Sequence, residues 1–515
     1  MSVPLITEAI MLSPLLWTLV AVQLAMGGFD IIFHHEMTER LAWKENAAHE
    51  LRLHAWRNLF YAVLFLTFAW VQPKGWLAIA LIVILTAEIV ITLWDFVEED
   101  MTRKLPPTER VLHTLLAINY GAILALIAPV ILSWVSHPTA LVWTSYGLGS
   151  VILTLAAVGV AVFAVRDFYT SKRAHHLHPR EPIDLSSILD RPGKVLMTGG
   201  TGFVGTELVR ALVALGNDVT VLVRSRKNAV QLATPVRLVE SLDHIDDNAH
   251  FDAIIDLAGE PVAGGLWTWR RRFNVIASRV RGARALRALV WRLAQKPKVY
   301  VKASAVGAYG PRDNDGPLTE RAALGPGKCF SARSCQICER EADRMTELGV
   351  RTVNLRIGLV LGRDGGLLAR MLPPFDLCLG GPIGSGQQWM SWISRADLVR
   401  LIAFAMAEPT LKGAVNATAP NPVQNQEFAA TLGNQLGRPA LIPLPAQPLT
   451  LALGDFAREL LLTGQQILPE KALAVGFRFH HPTLEHLLSD ELPSLSTGGQ
   501  KQDAGVNLET RAEAG

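Results

Sequence analysis

Charge is scarce in this sequence. Only 18% of its 515 residues are Asp, Glu, Lys or Arg, against about 25% in a soluble domain. The deficit is concentrated before residue 170, where long apolar runs dominate. A net charge of +3 gives no case for nucleic acid as a partner. Cysteine is scarce as well. The four present all fall between Cys329 and Cys378, which excludes a disulfide framework and suits a reducing compartment for that part of the chain. The length leaves room for roughly two to four domains.

The first third, residues 1–170, reads as an α-helical membrane bundle. Its apolar stretches are Leu12–Phe33, Asn58–Val71, Trp76–Trp94, Val111–Val135 and Ala140–Val165. A helix needs about 20 residues to cross the hydrocarbon core. The second stretch is short, so its helix has to continue back through His54 toward Glu50. Five spans are expected, making this a multi-pass membrane protein with the lipid bilayer as partner. No basic n-region precedes the first stretch, so it does not read as a signal peptide. Lys and Arg set the orientation. Arg40, Lys44, Arg52, Arg57, Arg103, Lys104, Arg110, Arg166, Lys172, Arg173 and Arg180 fall on one side, and only Lys74 on the other. The positive-inside rule puts the N-terminus outside and everything after residue 166 in the cytoplasm.

Acid and histidine recur four residues apart as Asp30/His34, Glu50/His54 and Glu109/His113, a spacing that places both side chains on one helix face. His35, Glu36, His49, Asp95, Glu98, Glu99 and Asp100 are close by. With five spans, all of these groups gather at the cytoplasmic end. Glu88 lies about 10 Å deeper than Asp95 on a helix rising 1.5 Å per residue. Ionisable groups in spans are costly and point to function. Three readings stay open: a solvated rim of snorkelling side chains, a carboxylate–imidazole metal site in a bundle, or histidine-ligated haem. The Glu-x-x-His spacing of di-iron bundles is absent, and haem would need a flavin to receive a nicotinamide's hydride.

Residues 171–193 read as a polar linker. The chain then changes character. Lys194–Met197 is a short apolar strand running into Thr198-Gly199-Gly200-Thr201-Gly202-Phe203-Val204-Gly205, followed by a helical stretch to Leu215 and a second strand, Val219–Val223. Strand, glycine loop and helix in that order form the dinucleotide-binding unit. Gly199 permits the turn, Gly202 lets backbone N–H groups approach a pyrophosphate, and Gly205 lets the helix lie close to the strand. The helix N-terminus then faces the phosphates. NAD enzymes place an acidic residue after the second strand. Here Arg224, Ser225 and Arg226 follow it, which suits the 2′-phosphate of NADP, since arginine binds phosphate bidentately. Phe251–Gly259 is a later strand whose end, Leu257, Ala258 and Gly259, would lie under the cofactor.

These segments continue in Ser304–Gly310, Asn354–Gly362, Leu379–Gly386, Trp392–Leu398, Asn416–Pro420, Gly437–Ala440 and Gly464–Pro469. Over roughly 194–489 the pattern resembles the extended short-chain dehydrogenase/reductase superfamily, in its nucleoside-diphosphate-sugar epimerase-like branch. The resemblance implies a doubly wound parallel Rossmann sheet over 194–415, a small C-terminal α/β domain over 416–491, and a nicotinamide cofactor acting on a small molecule. A disordered tail is expected over 492–515, where large apolar residues are few. The superfamily's catalytic set is Ser/Thr with Tyr-x-x-x-Lys. Counting from Glu339, Ser331 falls where that tyrosine belongs and Cys335 where the lysine belongs. Ser304 and Tyr309 are the remaining catalytic candidates, with Glu320 as an acid or base. Trp267, Trp269 and Arg270–Arg272 could line an anionic substrate pocket. Cys335 and Cys338 make a C-x-x-C that lacks two further zinc ligands. Three functions compete: an NADP-dependent oxidoreductase or epimerase, an NADPH-binding sensor or scaffold without turnover, and a membrane metal enzyme acting on a lipid.

Overall fold

The computed structural model describes residues 10–103, 105–175, 177, 180–312 and 316–492. The tail expected over 492–515 lies, except for Leu492, outside the described residues. The chain opens with α1 (Pro14–Phe29), which passes into a π-helical segment, Asp30–Glu39. Then come α2 (Ala48–Trp70), β1 (Val71–Lys74), α3 (Trp76–Thr102), α4 (Pro107–Val135), β2 (Ala140–Trp143) and α5 (Leu148–His175). The antiparallel β1–β2 ribbon closes the end of the bundle away from residue 175. Its core is apolar and includes Leu64, Leu81, Ile127, Val130 and Trp134.

Among the described residues, length and composition qualify four helices to cross a membrane, where five were expected. The exception is α2, whose first turns carry Glu50, Arg52, His54 and Arg57. Drawing the helix back from Asn58 to Ala48 supplies length and dilutes the apolar run in the same step. The linker expected from residue 171 begins later, because α5 continues to His175. Its remainder is docked: Leu185 lies in the core of the following sheet, and Arg180 pairs with Asp364 and Glu491.

The expected doubly wound sheet is present. Its strands are β3 (Lys194–Thr198), β4 (Asp218–Leu222), β5 (Arg237–Val239), β6 (Ala253–Asp256), β7 (Val299–Ala305), β8 (Arg351–Ile357) and β13 (Gly413–Ala417). They lie in the order β13-β8-β7-β6-β3-β4-β5, every pair parallel. Near-continuous apolar runs such as Val195–Met197, fully buried, mark strands covered on both faces. Helices α6 (Phe203–Ala214), α7 (Trp269–Arg292) and α8 (Phe330–Asp343) supply part of that cover. The strand order reverses between β3 and β6, which opens the crevice where such sheets bind ligands.

Short strands β9 (Leu359–Gly362), β10 (Gly365–Gly366) and β12 (Trp392–Ser394) form one small sheet, and β11 (Trp389–Met390) pairs with β14 (Val423–Gln424). Helix α9 (Leu368–Asp376) lies between β10 and β11. Helix α10 (Arg395–Ala407) follows β12 and is capped by Ser394, whose hydroxyl accepts from the Asp397 N–H. After β14 come α11 (Asn425–Leu436), α12 (Ala446–Leu453), α13 (Asp455–Leu460), α14 (Glu470–Ala474) and α15 (Leu484–Glu491).

The bundle is joined to the sheet region through side chains. Asp376, at the end of α9, accepts two bonds from Arg173, at 3.0 and 3.1 Å, and one from the Trp43 indole at 3.0 Å. The Arg173 guanidinium lies 3.4 Å from the centre of the Trp43 ring, and Trp43 is buried with Leu368, Met371 and Leu372. Arg363 bonds Glu45 at 2.5 Å.

Candidate functional site

The glycine loop sits at the sheet's switch point. Gly199 has φ +75°, and a Cβ there would lie 2.7 Å from the Leu257 carbonyl carbon and 2.8 Å from the Ala258 nitrogen. Gly205 faces the loop so closely that a Cβ would lie 2.1 Å from the Gly199 carbonyl oxygen. Gly200 is needed by packing, since its Cβ would meet Val221 at 2.7 Å. Gly202 differs: its Cβ would touch only the Gly199 oxygen, at 3.3 Å. It occupies the N-cap of α6, whose first N–H groups have no intrahelical acceptor. No acidic residue stands in that first turn. A turn open at Gly202, closed by backbone elsewhere and aimed by a helix N-terminus, fits a pyrophosphate. Thr201 belongs to the same turn. The Phe203 ring fills the space over Gly365, and the Arg395 guanidinium lies 4.8 Å from its centre. Arg395 also bonds Asp364 at 2.8 Å.

The loop is braced by a buried polar cluster absent from the sequence reading. Asp256 accepts from Thr198 at 2.6 Å, Lys302 at 2.7 Å and Tyr300 at 2.8 Å. Burial pushes the Asp256 carboxyl up, but Lys302 and the two hydroxyls outweigh it and hold the group below the usual carboxylate range. The strand-end residues Leu257 and Ala258 line the Gly199 turn. Gly259 serves another purpose, since a Cβ there would lie 2.8 Å from the Arg279 guanidinium carbon. Arg224 and Arg226 are exposed past the end of β4, and Ser225 caps the short turn that follows by accepting from the Lys227 N–H.

The catalytic candidates separate. Ser304, at the end of β7 and only partly buried, donates to Glu339 at 2.6 Å. Glu339 is gripped by Arg356 at 3.0 and 2.8 Å. Tyr309 is fully buried. Its hydroxyl donates to Asn416 at 2.7 Å and accepts from Arg356 at 3.0 Å. Burial raises the phenol above its ordinary range. Tyr309 therefore closes a structural network and is not placed as a proton donor. Ser331, at the expected tyrosine position, donates to Glu459 at 2.6 Å, and the same carboxylate accepts the Ser331 and Phe330 N–H groups. Cys335, at the expected lysine position, has its thiol pushed up to about 12, chiefly by burial and then by the Glu339 charge.

The other residues singled out hold the architecture. Glu320 accepts the Asn416 N–H at 2.9 Å. Trp267 is buried against Phe330 and Phe456. Arg271 bonds the Pro261 carbonyl and Arg272 bonds Asp455, whereas Trp269 is exposed. Arg271, Arg272 and Trp267 thus fasten the start of α7 to its neighbours.

In the bundle the acid–histidine pairs are buried and rearranged. His34 meets Asp30 at 2.9 Å as expected, and His113 reaches Asp30 from α4 at 3.1 Å. Glu50 turns from His54 to Arg103, which also forks Glu109 at 3.0 and 2.7 Å. His54 lies 3.2 Å from Asp95. Among the described residues, the groups able to hold a metal are Asp30, His35, Glu109 and His113, and His35, His54 and Glu99. Neither includes Cys335 or Cys338. His35 and Glu99 were visible in the sequence only as neighbours, because the α-helical spacing rule does not single them out.

Known proteins align with the sheet-containing part. The family model described as "NAD dependent epimerase/dehydratase family" matches residues 195–417, and "Domain of unknown function (DUF1731)" matches residues 444–491. Epimerase family protein YfhF of Bacillus subtilis is 35% identical over 305 residues, 59% of this chain and 99% of that protein. Human epimerase family protein SDR39U1 is 37% identical over 301 residues, 58% of this chain and 99% of its own length. A crystal structure of human SDR39U1 isoform 2 with NADPH aligns with TM-score 0.52 and 32% identity, covering 59% of this chain and all of that one. The switch-point glycine turn, the parallel sheet around it and relatives matched almost end to end agree that the chain belongs to the NAD-dependent epimerase/dehydratase family.

Proposed function

We propose that this protein is a membrane-anchored, NADPH-binding oxidoreductase or epimerase-like enzyme whose proton chemistry does not use the superfamily's tyrosine and lysine. The observation that carries this reading is the turn Gly199–Gly205, open at Gly202 and closed by backbone at Gly199 and Gly205. The relative solved with NADPH aligns over this region. Gly202 and the opening N–H groups of α6 would hold the pyrophosphate, and Arg224 and Arg226 the 2′-phosphate. When bound, the nicotinamide supplies or accepts a hydride. Ser304 donates its proton to Glu339, which leaves its lone pairs free to accept from a substrate hydroxyl.

A second reading is cofactor binding without turnover. The commitment of Ser331 to Glu459 and of Tyr309 to Asn416 favours it. Calorimetric titration of the full chain in detergent tests both. NADPH binding more tightly than NADH supports the cofactor assignment, and equal affinity or an NADH preference refutes it. Absence of NADPH oxidation across a metabolite panel selects the second reading.

The anchoring is supported by an inverted bundle. Leu93, Trp94, Val97, Val111, Leu155 and Val162 point outward, while Asp30, Glu50, Glu88, Asp95, Glu99 and Glu109 are buried. Apolar surface on that scale needs a partner, and lipid is the one its composition suits. The basic residues at the end nearest the sheet support a cytoplasmic placement of that end, by the positive-inside rule. Protease protection in sealed vesicles tests the orientation.

A further inference from the structure

We propose that the buried end of the bundle is a binding site for one divalent first-row transition-metal ion, held by Asp30, His35, Glu109 and His113. The inference is independent of the cofactor site. It begins with backbone geometry. Residues five apart lie about 140° from each other around an α-helix of 3.6 residues per turn. The segment Asp30–Glu39 is π-helical, and i→i+5 bonding stacks His35 near Asp30. That turn brings His35 Nε2 to 3.5 Å from Asp30 Oδ2 and 3.7 Å from Glu109 Oε1, with His113 Nε2 at 3.1 Å from the same Asp30 oxygen. Four ligands at 2.0–2.1 Å in tetrahedral array would be about 3.4 Å apart. These three separations bracket that value.

A second observation points to a missing partner. His35 Nε2, His54 Nε2, Asp95 Oδ1 and both Glu99 oxygens are buried with no hydrogen-bond partner among the described residues. Their carriers are no more than 5% exposed. Among these atoms His54 Nε2 lies 3.6 Å from Glu99 Oε1, at ion-pair distance but beyond a hydrogen bond, and one ligand atom each of His35, His54 and Glu99 falls within 4.8 Å of the others. Orphaned buried polar atoms call for an explanation, and an ion is one.

Charge gives the sign. Among the described residues, Asp30, Glu50, Asp95, Glu99 and Glu109 are met by two guanidiniums, Arg57 and Arg103. Glu36 and Asp167 are already answered by Arg166, and Glu39 by Lys44. A divalent cation offsets the excess. Two imidazoles and two carboxylates suit manganese, iron or zinc better than calcium or magnesium. The surroundings also match a metal site: His113 turns its other nitrogen to Glu99 at 3.3 Å, and Arg103 fixes Glu109. Such outer carboxylates orient ligating imidazoles. Asp30 and His113 also form part of the wall of a mainly apolar cavity of ≈ 550 Å³ that runs along the helices past Tyr61, Phe96 and Tyr120.

The test uses tag-free full-length protein, expressed with iron, manganese and zinc in the medium and purified in detergent without chelator. Elemental analysis is expected to find about one equivalent per chain. His35→Gln and His113→Gln are expected to lower metal affinity by about tenfold or more, whereas His49→Gln, at the rim, retains it. Because the first two variants could fail to fold, chelator-stripped wild-type protein is also titrated with cobalt(II). Visible ligand-field absorption saturating at one equivalent supports the site. Metal-free protein that takes up no cobalt overturns the proposal in favour of a cluster of carboxylates and protonated histidines. Metal retained in folded His35→Gln and His113→Gln overturns the ligand assignment.

Discussion

Replacing Gly205 by alanine tests the architecture of the nucleotide turn more sharply than any change to a charged residue. The added Cβ would lie 2.1 Å from the Gly199 carbonyl oxygen and 2.9 Å from both the Gly199 carbonyl carbon and the Gly200 Cα. All three are backbone atoms, so no rotamer offers an escape. Ordinary contact begins near 3.4 Å, and the helix and loop must part by about an ångström to reach it. Overpacking of this kind costs about 1–3 kcal/mol. Alanine's better helix propensity returns about 0.5–1 kcal/mol, so the steric effect wins. The central values leave a net loss of about 1 kcal/mol, a fall in melting temperature of roughly 2–4 °C. Gly202→Ala is the control, because its Cβ meets a single atom at 3.3 Å. That variant is expected to melt near the wild type while losing NADPH affinity, since its methyl stands where the phosphates approach. Thermal scans with and without NADPH read both effects. A Gly205→Ala protein as stable as the wild type would refute the close approach. A Gly202→Ala protein with unchanged affinity would refute the phosphate path.

Arg224→Asp is expected to weaken NADPH binding by about 1–3 kcal/mol, the scale of a hydrogen bond to a charged group, and to leave NADH unchanged; titration calorimetry decides. Asp376→Ala strands the Arg173 guanidinium, now bonded twice and stacked on Trp43. Breaking such a buried pair costs about 3–5 kcal/mol, measurable as a fall in the melting temperature of the intact protein. His481 faces Asp397 and Asp490. Burial lowers its pKa, but the two carboxylates outweigh burial and raise it to about 9 from the ordinary 6.5. A raised pKa means that protonation favours the folded state. Its contribution is therefore complete below about pH 6.5 and lost as pH rises through about 9. His481→Gln should flatten the melting temperature across that window, and an unchanged slope would remove His481 as the cause.

Much of the sheet domain was legible because its signals are local. The apolar run Val195–Met197, the glycine spacing to Gly205 and the next strand identify one supersecondary unit, whatever surrounds them. The absence of the tyrosine–lysine pair was equally plain from Ser331 and Cys335. What they do instead was not, since Glu459 reaches Ser331 from more than a hundred residues away. Tyr309 illustrates the same limit: a tyrosine after a strand suggests a proton donor, and only the fold buries its hydroxyl between Asn416 and Arg356. In the bundle, the four-residue spacing found Asp30 with His34. It missed His35, because the spacing rule assumes an α-helix and the backbone there is π-helical. It also paired Glu50 with His54, although Arg103, contributed by another segment, offers Glu50 a charge it could not find on its own helix.

The contacts around Phe203 bear on how the two halves share work. Phe203 begins the helix that faces the phosphate turn, and Arg395 covers its ring. Arg395 is tied to Asp364, whose neighbour Arg363 is tied to Glu45 in the bundle. The nucleotide turn and the loop between the first two long helices are thus two sides of one small block of side chains. A domain swinging on a flexible tether could take any angle to the bundle. Here the glycine turn is held to the helices through Arg395, Asp364, Arg363 and Glu45, so a change in the packing of one half is felt at the crevice of the other.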